Sequence, residues 1–447
     1  MGHAELTIQD QAATKRISLD EYWMPFTPNR EFKADPQMVV RAEGMYLWND
    51  RGDKIIDASS GLFCVSAGHG RKEIADAVGR QLRELDFCAP FLRAHPKQFE
   101  LASRIAELTP GDLNRIFFVN SGSESVDTAM KLALAYHQAR GQGGRNVFVS
   151  RDRAYHGVNF GGVALSGLVN NRRKYGPGLP GIAHMRHTHL KENFMTPGEG
   201  AHGADLAEDL LRIANMYGPE NIAACFVEPI AGSTGCLVPP KGYLKRLREI
   251  CDAHGILLVF DEVITGFGRT GQTFAAQSFG VTPDIMTMAK GLTNGAQPMG
   301  AVAASERIHD TIMGAAPEGA IEFFHGYTYS GHPASCAAGI ATLDVYRNEG
   351  LFERGRELSP YFLDALFELK DIPVVADIRG YGMMAAIDVH VEGAPGKRGQ
   401  IFQKKLFANG LNLKTTGDSA IIAPPLIAEK KHVDEIADKL RRTLAAL

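Results

Sequence analysis

The chain has 447 residues, of which 45% are apolar and 22% charged, and a formal net charge of −3. This is an ordinary globular composition, long enough for one large α/β domain and a smaller companion. The near-neutral balance excludes a nucleic acid or a membrane as a partner found by bulk electrostatics, and no run approaches the ~18 apolar residues of a spanning helix.

The first 60 or so residues predict a hairpin. Trp48–Lys54 forms the turn between the apolar pairs of Met45–Leu47 and Ile55–Ile56. From about residue 115 short apolar runs alternate with helical patterns. The strand candidates are Ile116–Val119, Val147–Ser150, Ala223–Val227, Ile256–Phe260, Ile285–Met288 and Gly300–Ala304. Helices are expected near 123–139, 205–217 and 240–254. The alternation implies parallel strands with helices on both faces, and such a sheet binds ligands at its carboxyl edge. Asn120, Glu228 and Asp261 each lie just past or at a strand end. Residues 170–203, rich in Gly, Pro, His and Asn, read as one long loop lining a site or an interface. After about residue 335 a helix, strands and an amphipathic terminal helix from Lys431 to Leu447 follow, with Val433, Ile436, Leu440 and Leu444 or Leu447 on one face. The expected division is 1–60 and 336–447 as two parts of a small α+β domain, with 61–335 as the large domain.

The six cysteines, at 64, 88, 225, 236, 251 and 336, form no C-x-x-C pair. They read as thiols of a reducing compartment. Met1–Glu5 has no apolar core like that of a signal peptide, so a cytoplasmic location is the expectation.

Asp261 closes the apolar run Ile256–Phe260, and Lys290 follows the second run Ile285–Met288. Alone, the first would be a helix cap and the second a surface lysine. Together they form the pair that pyridoxal 5′-phosphate requires: a lysine to hold the aldehyde as an imine, and a carboxylate to keep the pyridine nitrogen protonated. Ser121-Gly122-Ser123 opens a helix after the strand Ile116–Val119, where small residues, hydroxyls and free N–H groups suit a phosphate. Tyr155-His156-Gly157 follows the strand Val147–Ser150; an aromatic there could stack on the ring, but by itself Tyr155 reads better as a buried structural tyrosine. Val263 lies two residues past Asp261, in place for the opposite face. Glu228 is either a site acid or a strand-end salt-bridge partner.

Two patterns mislead. Gly266-Phe267-Gly268-Arg269-Thr270-Gly271 satisfies G-x-G-x-x-G but starts several residues past its strand and opens no long helix, so no dinucleotide site is expected. His184, His187 and His189 have no cysteine or carboxylate at metal spacing, and no metal is expected there.

Leu258–Val263 with Ala289-Lys290-Gly291 resembles the signature of class III aminotransferases. The likeness runs from Trp23-Met24-Pro25-Phe26 to Pro424-Pro425-Leu426. Its branch-level pieces are Tyr22–Thr27, His325–Ser330 and Pro239–Leu244, which resemble the ω-amino acid–pyruvate (β-alanine–pyruvate) group. The resemblance implies a fold-type-I α/β enzyme with a mostly parallel central sheet. It implies ping-pong transfer from an amine donor to a keto acid, with Lys290 and Asp261 catalytic. It also implies cofactor contacts from Ser121, Gly122, Ser123, Tyr155, His156, Glu228, Val263 and Thr328. The last would come from a partner subunit, in a homodimer or dimer of dimers with shared sites. Other donors (diamine, polyamine, 4-aminobutyrate, taurine) and decarboxylase, racemase or aminomutase chemistry on the same fold stay open. Two departures bear on the substrate. Lys414 stands where the group carries a carboxylate-binding arginine, and lysine offers no bidentate fork. Phe63 stands where the group often has Trp, so with Phe26, Phe91 and Tyr155 it suggests a roomier donor pocket.

Overall fold

The computed structural model describes residues 5–10 and 13–447; Met1–Ala4, read above for a targeting signal, lie outside the described residues. In chain order the strands are β1 (Glu5–Asp10), β2 (Ala13–Ser18), β3 (Val39–Glu43), β4 (Tyr46–Asn49), β5 (Lys54–Asp57), β6 (Arg115–Val119), β7 (Val147–Arg151), β8 (Ile182–Met185), β9 (Ile222–Val227), β10 (Leu257–Asp261), β11 (Ile285–Met288), β12 (Gly300–Ala304), β13 (Val375–Tyr381), β14 (Met384–Val389), β15 (Leu411–Asn412), β16 (Lys414–Thr416) and β17 (Ser419–Ile422).

The centre is a seven-stranded sheet in the order β6-β12-β11-β10-β9-β7-β8. All six predicted strands are in it. It is parallel except at β12, which runs antiparallel to both β11 and β6. The seventh strand, β8, lies inside the stretch read as a loop and pairs parallel to β7. Its four residues are only partly buried apart from Met185, and such a short edge segment carries little apolar signal.

Burial on both faces follows from the alternation of side chains along a strand. Leu258 and Phe260 of β10 enter one apolar cluster with Cys225 and Val227 of β9. Leu257 and Val259 enter the opposite cluster with Ala224 and Phe226. The helix Gly122–Ala139 covers the second face through Val126, Ala129, Met130, Ala133 and Tyr136. The helix Tyr243–His254 covers the first through Leu244, Leu247, Ile250 and Cys251. Each strand is therefore apolar almost throughout, and polar residues collect at the strand ends.

Strands from both chain ends form further sheets outside the central one. β4 and β5 pair as the expected hairpin, with Leu47 opposite Ile55. β15 of the C-terminal region adds parallel to β5, joining the two ends in one sheet. β13, β14, β17 and β16 form a second, antiparallel sheet. The terminal helix, Lys430–Ala445, buries Val433, Ile436, Leu440 and Leu444.

The G-x-G-x-x-G segment has a structural task. Arg269 is 1% exposed and donates to Met383 O and Pro424 O and to the hydroxyls of Ser60 and Ser66. Burial pushes its guanidinium down to about 10, and among the described residues it has no carboxylate partner within ion-pair distance. Gly268, at φ 90°, could not carry a side chain there, because a Cβ would fall 2.4 Å from Phe352. The segment thus pins the β10 end to Ser60, Ser66, Met383 and Pro424.

Candidate active site

The residues that converge lie at the carboxyl edge of the central sheet. Asp261, the last residue of β10, is 5% exposed. Its Oδ2 lies 2.8 Å from His156 Nδ1, and its Oδ1 accepts from Thr287 Oγ1 at 3.1 Å and Val263 N at 3.2 Å. His156 is itself braced, its Nε2 lying 3.1 Å from Ser150 Oγ. A buried carboxylate with this many fixed partners keeps one orientation. Thr287 and Ser150 were not apparent in the sequence. Thr287 faces Asp261 only because the two are register partners in adjacent strands.

Lys290 follows β11 in a short 3-10 turn, Lys290–Thr293, with φ 47°. A left-handed lysine is strained by about 1–3 kcal/mol and persists only where its surroundings hold it. Here Ser125 Oγ donates to Met288 O at 3.1 Å, Tyr346 OH donates to Gly291 O at 2.7 Å, and Phe267 packs against Gly291. Nζ lies 5.1 Å from the centre of the Phe63 ring. Burial pushes the Lys290 amine down, with Cys64, Asp261 and Glu228 opposing the shift.

Glu228, 3% exposed, follows β9 and accepts from Tyr155 N at 2.9 Å and Gly232 N at 3.1 Å. Burial raises its carboxyl, His156 opposes the rise, and Asp261 adds to it. Tyr155 is half-buried, and burial with the charges of Asp261 and Glu228 raises its phenol. Lys414, in β16, is held down to about 8 by burial and by the charge of Lys290, with Glu228 opposing. Glu262, next to Asp261 but bonded elsewhere, accepts from Thr265 Oγ1, Ala275 N and Ala276 N. Burial lifts it to about 7. It closes the turn after β10 and was missed in the sequence.

Ser121 caps the helix Gly122–Ala139, its Oγ accepting from Glu124 N at 3.2 Å. Gly122 is the first helical residue, and a Cβ there would meet both Val263 methyls at 3.0 Å. Ser123 Oγ accepts from Val158 N at 3.0 Å. The N–H groups of Gly122 and Ser123 fall in the first turn, where a helix supplies no acceptor.

Three of the anticipated residues lie apart from this cluster within the single chain. Phe26 is 80% exposed, and Phe91 is 57% exposed against Gly326. Thr328 is exposed and makes no hydrogen bond among the described residues. Phe63, by contrast, is buried beside Lys290, packed with Ile230, Ile264, Met384 and Ile421. His189 does converge with two acids remote in sequence, Asp377 and Asp388, their ligand atoms within 4.8 Å of one another. Arg379 bonds both acids, at 2.6 and 2.8 Å, so the cluster is already charge-compensated as an ion-pair network.

A large sheet with a desolvated lysine and an anchored buried carboxylate at its carboxyl edge defines an α/β enzyme of amino-group chemistry. The family model for aminotransferase class-III matches residues 29–444, and the chain belongs to that pyridoxal-phosphate-dependent family. An omega-aminotransferase of Caulobacter vibrioides is 52% identical over 95% of this chain and 97% of its own length. The omega-amino acid–pyruvate aminotransferase of Pseudomonas putida is 46% identical, over 97% of each. Among solved structures, the omega transaminase of Pseudomonas jessenii in complex with PMP superposes with a TM-score of 0.91 at 32% identity, over 96% of each chain. Among the described residues no helix is long and apolar enough to cross a membrane.

Proposed function

We propose that this aminotransferase moves the amino group of an ω-amino acid or related amine, such as β-alanine, to pyruvate or a similar keto acid. The observation that carries the reading is half-buried Lys290 and buried Asp261 at one sheet edge, with Lys414 close enough to Lys290 to feel its charge. The Pseudomonas putida relative, named for this reaction, supports the same substrates.

The residues fit pyridoxal 5′-phosphate. The absent Cβ at Gly122 leaves the helix start open beside Val263. The N–H groups of Gly122 and Ser123 with the hydroxyls of Ser121 and Ser123 would hold the phosphate. Val263 and Tyr155 would flank the ring. Asp261, with His156 behind it, would keep the ring nitrogen protonated, and Glu228 would close the site below. When bound, the group supplies an electron sink for the substrate's amine-bearing carbon. Lys290 Nζ would move the proton from that carbon onto the bound group within the donor half and run the same transfer in reverse in the acceptor half. Its burial favours the neutral form a proton acceptor needs. Two half-reactions at one lysine give ping-pong kinetics.

We also infer a homodimer, or a dimer of dimers, with shared sites. Thr328 is exposed, and the neighbouring Phe324 and Leu92 are 89% and 90% exposed. Apolar exposure of that extent marks a surface built to be covered. Phe91 beside Gly326 would then serve the partner's donor pocket, and Thr328 the partner's cofactor phosphate.

A screen of amine donors with pyruvate, read by alanine formation, tests the reading. β-Alanine and short ω-amino acids are expected among the accepted donors, and Phe63→Trp is expected to disfavour the bulkiest amines. Alanine formed from no amine would end the proposal; carbon dioxide release or simple inversion of the donor would move it to another chemistry.

Lys414 makes a second expectation. Its ammonium would grip the keto-acid carboxylate, and it titrates at about 8. A cation with a lowered pKa is complete below that value and lost above it. The KM for pyruvate should therefore climb above pH 8, approaching about tenfold per unit. Lys414→Arg should flatten that climb, since guanidinium stays charged. An identical pH profile in the variant would remove Lys414 from acceptor binding.

A further inference from the structure

The segment joining β5 to the rest of the site is unusually strained. Ser60, Gly61 and Phe63 have φ of 49°, 69° and 62°, all left-handed, within four residues. Two of the three are not glycine, and each such residue costs about 1–3 kcal/mol. The same segment carries Phe63, whose ring lies under Lys290 Nζ, and Leu62, 48% exposed. Something must hold this turn.

Asp57 does so. Its side chain is fully buried at the end of β5. Oδ1 accepts from Ser59 N at 3.1 Å, Ser59 Oγ at 3.2 Å and Asn412 Nδ2 at 3.1 Å. Oδ2 accepts from Gly61 N at 2.6 Å and lies 2.8 Å from His69 Nε2. Both oxygens thus face N–H donors of the turn, an arrangement only a carboxylate satisfies. From the other side Ser60 Oγ donates to Ala423 O at 2.7 Å and Arg269 pins Ser60 and Ser66.

We propose that Asp57 is a positioning residue for donor selection: its carboxylate clamps the left-handed turn Ser59–Phe63 and so fixes the wall that Phe63 presents beside Lys290. It touches no substrate and acts only through the turn. The inference rests on the amine-transfer reading above.

Asp57→Asn keeps the shape but must turn an NH2 group toward either Gly61 N or the Ser59–Asn412 donors, releasing one side of the clamp. Gly61→Ala attacks the same turn differently. Space is open around its Cβ, the nearest atom being Val65 Cγ2 at 3.4 Å, but φ 69° disfavours any side chain. Both variants, as holoenzymes, would be compared with the parent in two assays. The first is the ratio of kcat/KM for 1-phenylethylamine to that for β-alanine. The second is the alkylation rate of Cys64, which adjoins Phe63, measured by peptide mass with iodoacetamide. With the wall released, the ratio should rise at least about tenfold, the scale of one methylene in an apolar pocket, and Cys64 should react several times faster. A lower thermal midpoint with both readouts unchanged would make Asp57 merely structural and overturn the proposal. If Asp57→Asn does not fold, Gly61→Ala decides alone. Should the parent fail to transfer from either amine, the functional reading falls, while the Cys64 rates still decide whether Asp57 holds the turn.

Discussion

Lys290→Ala should lower alanine formation by about 10⁴-fold or more, the scale of removing a group that handles the proton in both half-reactions. The fall should appear in kcat rather than in KM, because Lys414, Tyr155 and Phe63, the residues proposed to contact donor and acceptor, remain in place. The burial that makes this lysine useful also makes it replaceable without unfolding. Nζ makes no hydrogen bond among the described residues, and its nearest ring is Phe63 at 5.1 Å, so alanine strands no polar partner. Borohydride treatment of the parent protein with bound pyridoxal phosphate should fix the label on the peptide Met288–Gly291. A variant retaining more than a few per cent of activity, or a label on another lysine, would show that the site has been placed wrongly.

Asp261→Asn is expected to cost about 10³-fold, since one preorganised electrostatic contact in a dry site is worth that order. The amide preserves volume and can still accept from Thr287 or Val263, so the fold should survive. What it loses is the negative charge that would face the ring nitrogen and the charge-assisted bond to His156 Nδ1. A second readout separates chemistry from structure. Excess pyridoxal phosphate should raise the parent's thermal midpoint, and the variant's by less, because ligand stabilisation follows affinity. An activity within tenfold of the parent, with the same thermal response to the cofactor, would remove Asp261 from its role. The two substitutions also differ from Lys414→Arg, whose effect is confined to the acceptor and to pH above about 8. A profile in which all three moved the same constant would contradict the division of labour among them.

Much of the architecture could be read directly from residue order. Strands β6, β7, β9, β10, β11 and β12 stand out because a sheet covered on both faces needs apolar residues at nearly every position, as in Ile222–Val227, where every residue is buried. The terminal helix shows for the complementary reason, one apolar face at helical spacing. β8 was hidden because a four-residue edge strand has neither signal. The reversed direction of β12 was hidden too, since periodicity carries no sign: Gly300–Ala304 reads the same whichever way it pairs.

The site divides along the same line. Asp261, Lys290 and the Ser121–Ser123 helix start were visible because each chemical type sits at a strand or helix boundary, and boundaries are marked locally by composition. Thr287, Ser150 and Asp57 were not, because their partners are chosen by strand register and by the crossing of segments distant in sequence. Phe26, Phe91 and Phe63 looked alike as a donor pocket, yet within one chain only Phe63 reaches Lys290. Residue order alone thus determined the type of chemistry, since an apolar run ending in a carboxylate and another followed by a lysine are local facts. Tertiary structure alone decided which side chains stand behind them, because hydrogen-bond partners and backbone strain such as that of Ser60–Phe63 arise only when separate segments are packed together.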